Sequence, residues 1–314
     1  MEFPVFDLHC DTAYALLGSS FRECGSLRSN NHRIDLMRAK QLPGYAQCFA
    51  CFVSDAENRI SPVDLFEREM ATILRETEQN SDLISLAYCA QDVCKNYENG
   101  KMSSILTIEG PGGFGHDPQL LEDLYQVGFR MTTLSWNEAN ALTGSHLSGE
   151  GLSAKGAEYV KEAQRLGMIV DVSHISAKAF WQIMDMTLAP VIASHSNSAK
   201  LCPHSRNLSD DMFLEICKRD GVAGINLYTE FLGKNATLDT VCDHIFHFME
   251  LDPDGKHIAL GGDLDGCDSL PNGFEHVGDY NKLAQCLLNR GLDSKTVMDI
   301  FWNNALGVME RCCM

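Results

Sequence analysis

The segment PVFDLHCD, residues 4–11, is a short apolar run that ends in polar residues, and it is typical of a buried strand leading into a functional site. Asp7, His9 and Asp11 are spaced by two, so their side chains leave the same face of an extended strand. His9 and Asp11 lie at its carboxyl end, where an imidazole beside a carboxylate suits zinc. The segment therefore predicts a strand that carries metal ligands.

Seven further runs of this kind alternate with longer segments of helical period, which predicts βα units around a parallel sheet. Eight such strands indicate an α/β fold, a (β/α)8 TIM-like barrel. One segment, residues 83–100, does not fit the alternation and is predicted to add an extra strand and helix between the second and third units. The eight predicted strands are residues 4–11, 46–53, 103–110, 129–136, 168–174, 190–195, 222–228 and 257–263.

Composition narrows the class of protein. The chain has 314 residues, 45% of them hydrophobic, which predicts one domain over residues 1–314 with a large core. A net charge of −18 disfavours nucleic acid and anionic membranes as partners. The 13 cysteines are scattered through apolar runs, as expected of reduced thiols in a cytoplasmic protein. We also expect no export leader and no membrane anchor, because the first residues lack a basic and apolar leader and no run of about 18 apolar residues occurs.

Polar residues also close four other predicted strands. Because the active sites of (β/α)8 barrels lie at the carboxyl ends of the strands, these side chains are expected to converge with His9 and Asp11. One zinc usually takes three protein ligands and a water. Five ligands from this set, one of them a carboxylate shared by both ions, therefore favour a two-metal centre. Each residue alone could be a buried, hydrogen-bonded polar group, but the set would be costly to bury without a cation. The four residues are Glu109, His174, His195 and Asp263.

The remaining histidines are not expected to bind the metal. His244 and His247 share a helix face but have no carboxylate partner in a motif, and the others occur in predicted turns or edges. Manganese or cobalt remains an alternative to zinc, because His and carboxylate sites accept several divalent ions. The other histidines are His32, His116, His146, His204, His257 and His276.

The order of these motifs resembles that of the membrane dipeptidase (zinc dipeptidase) family, over nearly the whole chain. An early HxD, a central SHSNS followed by RNLSD and a late GGDxDG form a specific joint pattern. The segments that carry the resemblance are DLHCDT at 7–12, TIEGPGG at 107–113, DVSHIS at 171–176, ASHSNS at 193–198, HSRNLSD at 204–210, INLY at 225–228 and GGDLDG at 261–266.

The resemblance implies a dipeptidase that holds two zinc ions per chain and attacks the peptide bond with a hydroxide bridging them. It also implies that Arg206 and Tyr228 hold the substrate carboxylate, that Asp263 carries the proton, and that a D-residue is accepted at the carboxyl side. Relatives are often homodimers. The implied ligands are His9, Asp11 and Glu109 for one zinc, and Glu109, His174 and His195 for the other.

One position departs from the family pattern. Trp136, after TTLS, stands where mammalian relatives have a His that is associated with binding the substrate carbonyl, and we expect Trp136 to contact the substrate and alter its range. Two alternatives stay open. The same hydroxide could serve another amidohydrolase reaction, such as N-acyl amino acid deacylation or β-lactam hydrolysis, or the chain could be a catalytically silent metal-binding scaffold.

Overall fold

The computed structural model describes residues 2–21, 25–57 and 59–313. Nine parallel strands form one sheet in the order β7-β6-β5-β4-β2-β1-β9-β8, and β3 pairs with β4 outside this path. A bridge between Ala193 and Ala223 joins the two ends, which confirms the predicted TIM-like barrel. The strands are β1 (Val5–Cys10), β2 (Tyr45–Phe52), β3 (Ile84–Leu86), β4 (Met102–Glu109), β5 (Phe129–Thr133), β6 (Ile169–Asp171), β7 (Val191–Ile192), β8 (Ala223–Ile225) and β9 (Ile258–Leu260).

Helices cover the outside of the barrel, and serine side chains begin several of them. Ser61, Ser153, Ser176 and Ser209 each accept a hydrogen bond from a backbone N–H of the first turn. The helices are α1 (Thr12–Leu17), α2 (Leu36–Ala39), α3 (Pro62–Gln79), α4 (Ala90–Glu98), α5 (Leu121–Val127), α6 (Ala154–Leu166), α7 (Ala177–Met186), α8 (Asp210–Lys218), α9 (Thr229–Leu232), α10 (Leu238–Leu251), α11 (Tyr280–Asn289), α12 (Ser294–Met298) and α13 (Asn304–Cys312). Short 3-10 turns occur at Pro111–Phe114, Pro118–Leu120 and Val277–Asp279, and a π-helical turn at Asp299–Asn303.

The segment that interrupts the predicted alternation is an insertion, as expected. β3 and α4 lie between the second and third βα units, and β3 pairs in parallel with β4 through Ile84 and Met102. None of the helices in the described ranges combines the length and apolar character that a bilayer crossing requires. All cysteines that the structure describes are free thiols.

Two glycines allow the barrel to close near the site. A Cβ on Gly224 would lie 1.9 Å from the carbonyl oxygen of Ser194, and one on Gly261 would lie 1.7 Å from the same atom. Such separations are far below contact distance, so β8 and the end of β9 approach the chain before His195 only because both positions lack a side chain.

Asp7, the first of the three same-face residues on β1, lies inside the barrel and is fully buried. Its carboxylate accepts hydrogen bonds from the backbone N–H of His9 (3.0 Å) and of Gly262 (3.1 Å), and from the hydroxyl of Tyr280. It therefore joins the end of β1 to the segment after β9, so the strand ends that carry His9 and Asp263 are held side by side.

Candidate metal centre

The carboxylate of Glu109, at the end of β4, lies among three imidazoles. Its Oε2 is 3.3 Å from His9 Nε2, whereas its Oε1 is 3.0 Å from His174 Nε2 and 3.6 Å from His195 Nε2. All four side chains are buried. The Oε2 atom thus lies nearest His9, whereas the Oε1 atom lies nearest His174 and His195. The rings of His9 and His195 stack with their centroids 3.9 Å apart.

Two further carboxylates complete the His9 side of this group. His9 Nε2 is 3.7 Å from Asp11 Oδ1 and 3.8 Å from Asp263 Oδ1. On the other side the Nε2 atoms of His174 and His195 are 2.8 Å apart. The structure therefore brings together all six residues that sequence patterns placed at the strand ends.

Two of these residues, His174 and Asp263, have an unusual backbone conformation that directs their side chains into the site. His174 and Asp263 have positive φ values of 67° and 56°, which non-glycine residues seldom adopt. Both follow strands that end three residues earlier, at Asp171 and Leu260. Strain of this kind concentrates at functional sites, where surrounding contacts hold it in place.

Hydrogen bonds fix which nitrogen of each histidine faces Glu109. The Nδ1 of His174 is 3.0 Å from Asn137 Oδ1, which can only accept, so Nδ1 carries the proton and Nε2 is free. The Ser194 hydroxyl donates to Asp171, so the Nδ1 of His195, 2.7 Å from the same hydroxyl, is also the protonated nitrogen. Outer partners of this kind orient metal-binding histidines.

Two buried polar atoms of the site lack hydrogen-bond partners within the described ranges, as is expected of atoms that bind a metal. His9 Nε2 and Asp11 Oδ1 are buried and have no hydrogen-bond partner among the residues that the structure describes, and a lone buried polar atom costs about 1–3 kcal/mol. His9 with Glu109 and His195, and His9 with Asp11 and Asp263, have ligand atoms within 4.8 Å of one another. Imidazole nitrogens and carboxylate oxygens are ligands that zinc accepts. The residues fit a divalent metal centre.

The protonation of the site depends on the three carboxylates. Burial opposes a charge on His9, but Glu109, Asp11 and Asp263 outweigh it and raise its pKa to about 10. Burial, with the charge of Arg206, lowers the pKa of His174 to about 3, and burial lowers that of His195 well below its usual value. Without a cation, His9 therefore holds a proton at neutral pH where a metal would bind.

A cavity of about 300 Å³ opens onto the site and is called the metal cavity below. Aromatic side chains form its wall: Trp136 packs edge-on against Phe52 (ring centroids 5.0 Å apart), and Tyr228 packs edge-on against Phe231 (5.0 Å). Trp136 also lies 6.4 Å from His174, ring to ring. Trp136 and Tyr228 thus line the cavity beside the predicted metal ligands.

Arg206 is buried beside the site but lines a different cavity, of about 580 Å³. Its guanidinium donates to the carbonyl of His195 (3.1 Å) and to the hydroxyl of Ser196 (3.3 Å), and it lies 5.4 Å from the centre of the Phe231 ring. Burial lowers the pKa of Arg206 to about 10, which still leaves the side chain charged at neutral pH. Phe231 thus contacts both predicted carboxylate-binding residues, Arg206 and Tyr228.

Residues 1–312 match the sequence profile of the membrane dipeptidase family, peptidase family M19. The chain belongs to this family. Among curated relatives, an uncharacterized dipeptidase of Schizosaccharomyces pombe is 38% identical over 67% of this chain and 53% of its own length, and the dipeptidase aclJ of Aspergillus oryzae is 32% identical over 98% and 77%. The match therefore spans about half of the first relative and about three quarters of the second.

Solved structures share the fold of this membrane dipeptidase family member. A metallopeptidase from Rhodobacter sphaeroides, liganded with a phosphinate mimic of the dipeptide L-Ala-D-Ala, superposes with a TM-score of 0.91 at 24% identity, covering 99% of this chain and 100% of the other. The metallopeptidase called dipeptidase AC, also of family M19, gives 0.90 at 24% identity, covering 100% and 99%.

Several residues of the site were not singled out in the sequence. Asn137 contacts His174, Asn226 donates to Asp263 Oδ2 (3.1 Å), and Ser194 contacts His195. Each follows a strand, so the strand-end rule could have included them had Asn and Ser been considered as supporting residues. His146, which was not expected to be a ligand, lies outside the metal-spaced groups, and its Nε2 donates to Asn137 Oδ1 (2.9 Å).

Proton release on metal binding tests the protonation of His9. At pH 7.5 we expect loading of the chelated protein to release one proton from His9, because metal needs its neutral imidazole and its pKa is about 10. This proton comes in addition to those from Asp11, whose pKa burial raises, and from the metal-bound water, so the comparison with His9→Gln isolates it. His174 and His195 should release none, since their pKa values are lowered. Calorimetric titration with zinc in two buffers of different ionisation enthalpy gives the number. Release from the intact site that is no greater than from His9→Gln would contradict the assignment.

Proposed function

We propose that the protein is a dipeptidase that binds two zinc ions per chain and hydrolyses the peptide bond of dipeptides with a hydroxide shared between the ions. His9, Asp11 and Glu109 would hold one ion, and Glu109, His174 and His195 the other. The observation that supports the proposal is that one oxygen of Glu109 lies nearest His9 and the other lies nearest His174 and His195. Membership of the family supports the reaction.

When bound, the metal ions would supply an activated water and polarise the peptide carbonyl. Asp263 would accept the proton of the attacking water and return it to the leaving amine. Its Oδ2 is held by the side-chain amide of Asn226, so Oδ1 is the oxygen that faces His9. This placement supports a role in moving a proton at the centre.

Arg206 and Tyr228 would hold the free carboxylate of the substrate. The guanidinium is planar and charged, and its pairing with a carboxylate is geometrically specific. Both side chains contact Phe231, so they lie at the same end of the site. An anchor for the terminal carboxylate leaves room for one residue beyond the scissile bond, which explains a preference for dipeptides.

The alternatives make different demands on the site. N-acyl amino acid deacylation and β-lactam hydrolysis use the same metal centre but need no recognition of a free amine, whereas the metal cavity carries Asp265 and Asp268 at its edge, which suit an ammonium group. A silent scaffold would bind metal without cleaving any dipeptide. A homodimeric state and a cytoplasmic location stay predictions.

Metal analysis with a substrate panel tests the reaction. We expect about two zinc ions per chain and cleavage of L-L or L-D dipeptides that chelation abolishes and zinc restores. The L-D members are included because the Rhodobacter metallopeptidase binds a mimic of L-Ala-D-Ala. The panel also contains N-acetyl amino acids and a β-lactam. Cleavage of those alone would favour another amidohydrolase, and bound zinc without any cleavage would favour a scaffold.

Exchange of Asp263 for Asn separates catalysis from metal binding. Asn has the same shape but cannot accept the proton, so we expect kcat to fall about 10²- to 10⁴-fold. Steady-state kinetics measures the loss, and elemental analysis of the same preparation should still find the zinc content of the parent. A kcat within about threefold of the parent would exclude Asp263 as the proton carrier.

The carboxylate anchor is tested with Arg206→Lys and two substrates. Lysine keeps the charge but not the two-pronged geometry, so kcat/KM for a cleaved dipeptide should fall about 10- to 100-fold. The same dipeptide with its carboxyl end amidated cannot use the anchor, and parent and variant should cleave it equally slowly. Equal losses for both substrates would mean that Arg206 supports the fold of the His195 segment instead.

A further inference from the structure

A second, larger cavity lies next to the metal centre. It measures about 580 Å³ and is called the α7 cavity here, since the start of α7, from Ser176 to Lys178, forms part of its lining. His174 lines both this cavity and the metal cavity. The two cavities therefore share the His174 side chain as a common wall.

The two cavities differ in charge. The side chains lining the α7 cavity include Lys178, Arg206 and His146 but no Asp or Glu among the residues that the structure describes. This is unexpected in a chain with 43 acidic and 25 basic residues. The metal cavity, in contrast, is lined by five carboxylates: Asp11, Glu109, Asp263, Asp265 and Asp268.

The α7 cavity also presents hydrogen-bond donors suited to an anion. Arg206 lines the cavity, is 4% exposed and stays charged at neutral pH. The ten-residue helix α7 begins at the cavity, and Ser209, which caps α8, lines it as well. Helix amino termini carry partial positive charge and unpaired N–H groups, which favour anions.

A dipeptide with free ends fits this pair of cavities in one direction. Its ammonium group is attracted to Asp265 and Asp268, the two carboxylates of the metal cavity that are not assigned to the metal ions or the proton transfer, and its carboxylate to Arg206 at the wall of the α7 cavity. The carboxyl-terminal side chain would then enter the α7 cavity. Its volume far exceeds what a carboxylate alone needs, so it has room for a side chain of ordinary size.

Lys178 is the positive charge left for that side chain. Arg206 would be occupied by the terminal carboxylate, and both ring nitrogens of His146 are already bonded, to Asn137 (2.9 Å) and Ser205 (2.7 Å). Lys178 is exposed at the start of α7, and a Cβ on Gly151 would lie 3.1 Å from its Cε. The lysine stem thus lies beside the glycine-containing loop that reaches the cavity at Gly149.

We propose that the α7 cavity is the subsite for the carboxyl-terminal residue of the dipeptide, and that Lys178 makes it favour an acidic side chain there. The inference rests on the proposed dipeptidase function and specifies its substrate class. Lys178 is a specificity-determining residue in this view and takes no part in the chemical step.

The test compares two substrates of equal shape, Ala-Glu and Ala-Gln, each with the second residue in L and in D form. For the zinc-loaded protein we expect kcat/KM to favour the glutamyl substrate about three- to tenfold in the preferred stereoisomer. Lys178→Met should reduce this ratio at least about threefold, and raised salt should reduce it in the parent, because exposed charge pairs are screened. Lys161→Met, which removes an exposed lysine of α6, is the matched control and should leave the ratio unchanged.

Each outcome decides one point. A parent ratio near one, or a preference for Ala-Gln, overturns the proposal, and a high ratio that survives in Lys178→Met overturns the role of Lys178. If no dipeptide of the wider panel is cleaved, the dipeptidase function itself fails. Calorimetric binding of the two peptides to that inert zinc-loaded protein then settles the subsite: tighter binding of Ala-Glu that Lys178→Met abolishes upholds it, and equal binding refutes it.

Discussion

The arrangement of the site depends on one buried carboxylate, that of Glu109. A carboxylate removed from water is costly unless it is paired, and the protonated His9, or a metal cation bound in place of that proton, supplies the pairing for Glu109. Burial acts to raise its pKa, but His9 and His174 outweigh burial and hold the pKa well below its usual value. Glu109 therefore stays ionised, with each oxygen directed at a different histidine set. An ionised carboxylate of this kind can be shared by two metal ions, with one oxygen near each.

The barrel is what makes this sharing possible. β4 pairs with β2 on one side and β5 on the other, and the end of β2 at Phe52 is in register with Glu109. His9 comes from β1, beyond β2, whereas His174 and His195 follow β6 and β7 on the far side of β5. Only a sheet that curves and closes brings these strand ends around one carboxylate. Closure of the barrel also requires glycine at positions 224 and 261, because these residues approach the chain just before His195.

The sequence predicts the strands and the metal-spaced residues well because both follow local rules. Buried parallel strands are apolar runs, and their carboxyl ends meet, so His9, Glu109 and His174 could be assigned together. The later strands are shorter than predicted: residues 168–174 contain a strand only at Ile169–Asp171, because His174 turns into a left-handed conformation. The sequence of a polar strand end does not show at which residue the backbone hydrogen bonding to the neighbouring strand stops.

What could not be predicted depends on loops that meet only in three dimensions. Asn137 Oδ1 accepts hydrogen bonds from both His146, nine residues later, and His174. Nothing in the spacing of these residues indicates that they meet. The division of charge between the two cavities is of the same kind. Lys178 and Arg206 are 28 positions apart in a chain of net charge −18, and only the packing of α7 against the segment after His195 gathers them on one wall. Under the proposed function, this division of charge would orient a dipeptide before it reached the metal ligands, so the loops would set the direction of binding and the strand ends would supply the chemistry.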